Sequence, residues 1–407
     1  MQDDFPSILQ IFNEYLLKGG EEASVDRIFH ALEANNHPVI QCRFASSEWV
    51  GDGRNMPVYE QALRMIYNPA AARKLSGIHD KAQPDLWLLH NVFPVGSTAV
   101  YRQAIRLNMP LVYFIHNYRP FSVSSYLWAN GKVETAGLQR NFWPEIRAGA
   151  WQASRLKTAW YAMIIQYMHW KKYYDRISAW IAISDFMKDV FVDAGIPKEK
   201  VYTLRHSWQA MDTPPPHQDE GYYVFLGSLI EMKGIPTLLS CWKSLETNLG
   251  DACPELRIAG EGPLADQVCA AAAASTKIQY LGRVSGDAKH ALIRGCRAFI
   301  APSVWWEPLG LVTYEAYDYG KPMLAARSGG LAETVSHGET GFLHEPGNAE
   351  QLARQIIEVD QNESLRISMG EKGRVWLLAH TQPDDWLTSF RMICNEAVKR
   401  HRKDFPG

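Results

Sequence analysis

Two glutamates eight positions apart, Glu307 and Glu315, lie in the stretch WWEPLGLVTYEA (305–316), with Pro308 and Gly310 between them. Pro308 suits the first position of a helix, and Gly310 lets a ligand approach the backbone closely. The amides of Gly310 and Leu311 would have no acceptor inside the first turn, and they suit a diphosphate. Glu307, beside that helix start, would accept hydrogen bonds from neutral hydroxyls rather than bind phosphate. Glu315, more than a turn further on, would reach other hydroxyls, for example a ribose diol. Taken singly, each carboxylate is better explained as compensation of the helix dipole or as an exposed helix charge. Taken with Lys233-Gly234 and Gly329-Gly330, the set reads as one site.

The stretch FLGSLIEMKGIPTLL (225–239) reads as a strand, a glycine turn and then Lys233-Gly234 opening a helix. A helix start offers free N–H groups, and a lysine beside it adds a full positive charge, a combination that suits phosphate. By itself the segment reads better as carrying a plain surface lysine. LRIAGEGPLADQV (256–268) contains G-x-G-x-x-A, a partial dinucleotide fingerprint. The acidic ribose ligand expected about 20 residues later is missing, so a tight strand-to-helix turn is the better account.

The elements that must position these residues alternate short apolar runs with helix-period segments, the pattern of parallel βαβ units. In the first half the strand runs are SILQIF (7–12), HPVIQCRF (37–44), PDLWLLHN (84–91), PLVYFIHN (110–117) and AWIAISDF (179–186). Helical patterns cover Val25–Asn35 and about Asp185 to Ala194. MDTPPPHQDEG (211–221) interrupts the alternation, because a triple proline fits neither a helix nor a central strand. Beyond it come YYVFLGS, ELRIAGEG, KIQYLGR, AFIAPS and KPMLAAR. The expectation is two doubly wound α/β domains, 1–210 and 221–380, joined by a linker near 211–220, with a closing helix within 381–407. In such sheets ligands bind outside the carboxyl ends of the strands, where most of the residues above fall.

Composition agrees with this reading. The chain has 407 residues, 46% hydrophobic and 21% charged, enough for two cores. A formal net charge of −2 gives no electrostatic case for nucleic acid. Six scattered cysteines with no C-x-x-C pair suit reduced, mostly buried thiols in a cytoplasm. The N-terminus has no basic region leading into an apolar core, so no signal peptide is expected, and no window reaches the length of a spanning helix.

These motifs resemble the retaining glycosyltransferases of family 4, which have the GT-B fold: two Rossmann-like doubly wound domains facing each other across a cleft. LGSLIEMKG, LRIAGEGPL, EPLGLVTYEA and SGGLAETVSHGETGFL are similar to the family's motifs in order and spacing across 222–345. In the first half the likeness is looser and rests on KGGEEASVDRIFHALEANNHPV and LVYFIHN. The resemblance implies that Glu307 binds donor-sugar hydroxyls near the reacting centre and Glu315 the ribose. It implies that Lys233 neutralises the diphosphate, helped by the amides of Gly310 and Leu311. His116 would lie near the sugar, bonding its 6-hydroxyl or the acceptor, and Gly19 and Gly20 would form a loop approaching phosphate. The first domain would take the acceptor, the second the donor, and the closing helix would cross back to the first.

Two departures stand out. Where the family usually carries arginine after the glycine, this chain has Gly227-Ser228, leaving Arg283 and Arg205 as the available substitutes for a second cation. The family's P-N-G after the last strand of the first domain is replaced by LRHSWQ. The implied function is metal-independent transfer of a sugar from a UDP- or GDP-sugar to a glycan or lipid-linked acceptor, in cell-surface polysaccharide biosynthesis. No cofactor is implied, the nucleotide sugar being a co-substrate, and no D-x-D triplet occurs. The alternatives are a non-catalytic nucleotide-sugar or glycan-binding protein and another GT-B enzyme, such as a nucleotide-sugar epimerase or a phosphorylase.

The segment 141–180 carries five tryptophans and six Lys/Arg against two acids. Trp160, Ile164 and Met168 share a helical face, with Lys171 and Lys172 just beyond. The stretch reads either as an interfacial patch meeting a lipid-linked acceptor at the inner membrane face or as a helix pair packed on its own domain. RPFSVSSYLW (119–128) reads either as an acceptor loop or as a plain surface loop, and the basic tail VKRHRK carries no assigned role.

Overall fold

A computed structural model describes residues 5–16, 19–51, 54–215 and 219–406. The chain forms two compact units, one of Met1–Leu127, Glu134–His206 and Pro383–Gly407, the other of Trp128–Val133 and Ser207–Gln382. The first therefore ends at His206 rather than 210, and the short ribbon at 128–133 groups with the second.

The first unit is built on β1 (Ile8–Glu14), β2 (Val39–Ala45), β3 (Leu86–Leu89), β4 (Leu111–Ile115), β5 (Ile177–Ala182) and β6 (Val201–Thr203). They pair in parallel in the order β6-β5-β4-β3-β1-β2. The central strands are unbroken apolar runs because helices cover both faces of such a sheet, and Leu86–Leu89 and Leu111–Ile115 are buried throughout. β1 differs, carrying Gln10 and Asn13 fully buried among Ile8, Leu9, Ile11 and Phe12. The helices of this unit are α1 (Gly20–Ala34), α2 (Val58–Ile66), α3 (Pro69–Ala82), α4 (Ala99–Arg106), α5 (Trp143–Ala148), α6 (Arg155–Trp170) and α7 (Asp185–Asp193). Ser154 and Ser184 start α6 and α7 by accepting the amides of Lys157 and Met187.

In the second unit β7 (Tyr222–Leu226), β8 (Glu255–Ala259), β9 (Ile278–Tyr280), β10 (Cys296–Ala301), β11 (Met323–Ala326) and β12 (Gly341–His344) pair in the order β9-β8-β7-β10-β11-β12. Its helices are α8 (Ile235–Leu249), α9 (Ala265–Ala274), α10 (Gly286–Gly295), α11 (Val312–Asp318), α12 (Leu331–Thr334), α13 (Ala349–Gln361) and α14 (Glu363–His380). Tyr223, Trp242, Leu256, Ile258 and Ile356 lie in its core. The last helix, α15 (Pro383–Asp404), is counted in the first unit, where the Arg400 guanidinium donates to the Ser178 carbonyl at 2.8 Å.

Each strand run predicted from sequence is a strand. Two of the edge strands, β6 and β12, were not predicted, whereas the equally short edge strand β9 was. The first helix starts at Gly20, five residues ahead of the predicted Val25, behind an N-cap glycine without a side-chain signal. The predicted linker is partly tied down: the Met211 amide donates to Asp318 Oδ1 at 2.9 Å, and Arg374 binds the Met211 carbonyl. Residues 216–218 of that linker lie outside the described residues. On α6, Ile164 and Met168 are buried, so the predicted apolar face is the packing face and not an outward one. All six cysteines are free thiols, and only Cys269 is exposed.

Candidate functional site

Read from its first strand, the second sheet has the order 3-2-1-4-5-6, which reverses between β7 and β10. At such a reversal the connections leave on opposite faces and open a crevice at the strand ends. The two sequence motifs occupy those ends: Ser228 and Lys233 follow β7, and Glu307 follows β10.

Backbone contacts pin the two loops together. The Val304 amide donates to the Met232 carbonyl at 2.9 Å. Gly234, at φ +77°, closes on Pro302 so tightly that a Cβ there would stand 1.9 Å from the Pro302 oxygen. The 3-10 turn Glu231–Lys233 thereby aims Lys233 at the next loop, and its Nζ meets Glu307 Oε1 at 2.5 Å. Ser303 Oγ donates to the same oxygen at 2.7 Å. Gly329 and Gly330 pack against the main chain of Glu307. The Gly330 amide donates to the Glu307 carbonyl at 2.7 Å, and a Cβ on Gly329 would come within 2.3 Å of that carbonyl. Glu307 is buried while Lys233 stays partly exposed, so the pair presents its cation outward. An ammonium has three donors, and the ion pair occupies one of them.

Trp305 is buried and lies 5.3 Å from the Lys233 ammonium at its ring centroid, packing beneath the pair, whereas Trp306 is half-buried. Among the described residues no backbone acceptor takes the amides of Gly310 and Leu311, which precede the seven-residue α11. Glu315, in α11, has Oε2 2.8 Å from Lys289 Nζ, an ion pair without hydrogen-bond alignment. Ser228 is exposed at the end of β7. Of the two substitute cations, Arg205 belongs to the first unit and donates to Asp185 at 2.9 Å. Arg283 is exposed on the loop after β9 and has no ion pair among the described residues.

In the first unit the predicted residues also lie at strand ends. Gly19 caps α1, and both Gly19 and Gly20 are exposed with open space around them. His116 follows β4 and stacks in a set that sequence reasoning did not assemble. Its ring lies 5.1 Å from His90, 5.5 Å from His206 and 5.1 Å from Phe114. Burial pushes all three imidazoles well below their ordinary value, His116 to about 3, with mutual repulsion and Arg27 adding to it. Beside them Glu21 accepts from Tyr15 Oη at 2.8 Å, Asn117 Nδ2 at 3.0 Å and the Asn91 amide at 3.3 Å. Burial nevertheless raises its carboxyl above the usual range. Arg119 donates to Tyr161 Oη at 2.9 Å close by. The one signal that could have found this set was the pair of apolar runs both ending in His-Asn, which are His90-Asn91 and His116-Asn117.

Residues 18–206 match the family model Glycosyltransferase Family 4, and residues 208–376 match Glycosyl transferases group 1. The chain belongs to the family 4 glycosyltransferases. Its two doubly wound units are those of the GT-B fold. An uncharacterised glycosyltransferase of Methanocaldococcus jannaschii is 31% identical over 158 residues, 38% of this chain and 43% of that protein. N-acetyl-alpha-D-glucosaminyl L-malate synthase of Bacillus anthracis is 25% identical over 52% of this chain and 55% of its own. A GDP-mannose-dependent alpha-(1-6)-phosphatidylinositol monomannoside mannosyltransferase of Mycobacterium tuberculosis is 30% identical over 40% and 44%. The chain thus spans about half the length of the curated relatives it matches. Among solved structures, sucrose-phosphate synthase of Thermosynechococcus elongatus superposes with a TM-score of 0.68 at 15% identity, covering 97% and 99% of the two chains. Anabaena Alr3699/HepE in complex with UDP gives 0.62 at 17% identity, covering 95% and 98%.

Proposed function

We propose that this family 4 member transfers a sugar, with retention and without a metal, from a nucleotide-diphosphate sugar to a glycan or lipid-linked acceptor of a cell-surface polysaccharide. The observation that carries the reading is the Lys233–Glu307 pair at the reversal of the second sheet, next to the open amides of Gly310 and Leu311. Departure of the nucleoside diphosphate builds negative charge on phosphate and positive charge at the anomeric carbon. Lys233, with two donors to spare, and the two amides stabilise the first, and the buried Glu307 carboxylate stabilises the second. The outgoing phosphate then receives the acceptor proton on the same face, which keeps the configuration. Glu315 takes the ribose. The M. tuberculosis relative is named for GDP-mannose, so GDP-sugars stand beside UDP-sugars as donors.

The test is a thermal-shift screen against UDP-, GDP- and ADP-sugars. A donor at 100 times its Kd stabilises the fold by about 2.7 kcal/mol, a shift of several degrees. Lys233→Met removes the phosphate partner and should abolish most of that shift. The bound donor should also release nucleoside diphosphate slowly without acceptor, whereas a pure binder releases none.

A second observation supports contact with a lipid-linked acceptor at the inner membrane face, with the rest of the protein cytoplasmic. Leu156, Met163 and Trp170, spaced by seven, form one outward stripe on α6, and Leu156 and Trp170 are 83% and 68% exposed. Tyr59 and Leu63 are exposed on α2, which adjoins α6 through a 3.2 Å bond from Trp160 Nε1 to the Ala62 carbonyl. Lys171 stands 4.5 Å from the Trp170 ring centroid, and Arg155 and Lys172 are exposed at the two ends of α6. Apolar side chains rimmed by cations suit an anionic bilayer surface. Among the described residues no helix is long and apolar enough to cross a membrane. Co-sedimentation with anionic vesicles at low salt should bring down the wild type and leave Leu156→Glu/Trp170→Glu in solution; equal recovery of both would refute the contact.

A further inference from the structure

The histidine set of the first unit is joined to a line of polar side chains that runs through the sheet. Arg43 Nε, on β2, donates to Gln41 Oε1 at 3.0 Å. A guanidinium can only donate, so this bond fixes which end of the Gln41 amide is oxygen. Gln41 Nε2 then donates to Gln10 Oε1 at 2.9 Å. On the buried β1, Gln10 Nε2 donates to the Val25 carbonyl at 3.1 Å and contacts His90 Nε2 at 3.0 Å. The amide has two hydrogens and these two contacts use both, so His90 Nε2 accepts. A flipped Gln10 would set its oxygen against the Val25 oxygen. His90 therefore carries its hydrogen on Nδ1, which lies 2.8 Å from His116 Nε2. His116 accepts there, and its own hydrogen sits on Nδ1. Arg43, anchored by Glu14 at 2.9 Å and by Asp26, sets the sense of the whole line.

We infer that Gln41, Gln10 and His90 are positioning residues that hold His116 in its Nδ1–H tautomer, so that His116 meets a ligand only as a hydrogen-bond donor. No protein acceptor takes that N–H among the described residues, and the ring is partly exposed at the end of β4. The Phe114 and His206 rings stack nearly parallel to it. The ring has no lone pair left for the ligand side, so it cannot accept a proton from an incoming hydroxyl. Its partner is an oxygen with a lone pair, and that oxygen is a sugar hydroxyl or a phosphate if the proposed function holds. Burial keeps the ring neutral, which preserves the direction of the line at working pH.

The tautomers can be read without any assay of transfer. The full chain, labelled with 15N-histidine, is observed by long-range 1H–15N correlation, with His90→Gln and His116→Gln used to assign the two rings. Both rings should show a protonated Nδ1 and a bare Nε2. A protonated Nε2 on His116 in the wild type overturns the inference. In Gln10→Leu the direction is no longer imposed, and His90 and His116 should move toward averaged tautomer signals; unchanged signals count against the line. The Nδ1 pattern in a protein that binds no nucleotide sugar upholds the positioning role while removing the functional reading.

Discussion

Glu307→Gln should lower the rate of sugar transfer by about 10²–10³-fold while leaving the protein folded and able to bind nucleoside diphosphate. The amide keeps the shape of the side chain, and its oxygen can still accept from Lys233 Nζ and Ser303 Oγ, now 2.5 and 2.7 Å from the carboxylate. What disappears is the negative charge. In the wild type that charge is held in a buried position, on a main chain packed against Gly329 and Gly330, where solvent screens it little. The developing oxocarbenium loses its stabilising partner, so kcat should fall. Lys233, relieved of its counter-charge, should hold diphosphate at least as tightly as before. The combination of a collapsed kcat with an unchanged or lower Kd for the nucleotide separates this role from damage to the fold. Near-normal turnover in the purified variant would remove Glu307 from the reaction.

Acid should destabilise the first unit steeply through His90, His116 and His206. His90 and His206 are buried and His116 is partly exposed, and desolvation depresses the proton affinity of all three below the ordinary value near 6.5, with His116 brought to about 3. Above pH 6.5 both folded and unfolded rings are neutral, and the depressed values have no effect on stability. As pH falls below 6.5 the unfolded chain takes up protons that the folded rings refuse, so stability is lost with falling pH. Each such proton contributes a slope of about 1.4 kcal/mol per pH unit, and three together about 4 kcal/mol per unit near pH 5. Glu21 acts in the opposite sense, since its raised carboxyl lets the fold bind a proton before the unfolded chain does, but it is one group against three. Urea titrations at pH 7.5, 6.0, 5.5 and 5.0 measure the slope. His206→Phe, which keeps a stacked ring beside His116 and Phe114, should flatten it by about 1.4 kcal/mol per pH unit. Superimposable slopes for the two proteins would show that His206 stays titratable in the fold.

Much of this was legible in the amino-acid order. Buried parallel strands are short apolar runs, and a run such as LVYFI declares itself without knowledge of its neighbours. The residues that end those runs fall at one edge of the sheet by topology alone, which is why Lys233, Glu307 and His116 could be singled out. The family resemblance added the order of the motifs in the second half. The edge strands β6 and β12 escaped, and so did the early start of α1, because none of them carries a local signal that outweighs its surroundings.

Partnership was decided only by the tertiary structure. Nothing in the spacing of Lys233 and Glu307, 74 positions apart, says that they share an ion pair, since that depends on the reversal of strand order that brings β7 beside β10. The same holds for the line from Arg43 through Gln41, Gln10 and His90 to His116, whose members come from four adjacent strands or the loops that end them. A buried glutamine inside an apolar strand looks like a flaw when read along the chain, and only the sheet supplies the partners that give its amide a direction. On α6 the order of residues showed an amphipathic helix but not which stripe would be covered. Ile164 and Met168 turned inward and Leu156, Met163 and Trp170 stayed outside, because the face that buries is the one that meets another element, and sequence period alone does not name that element.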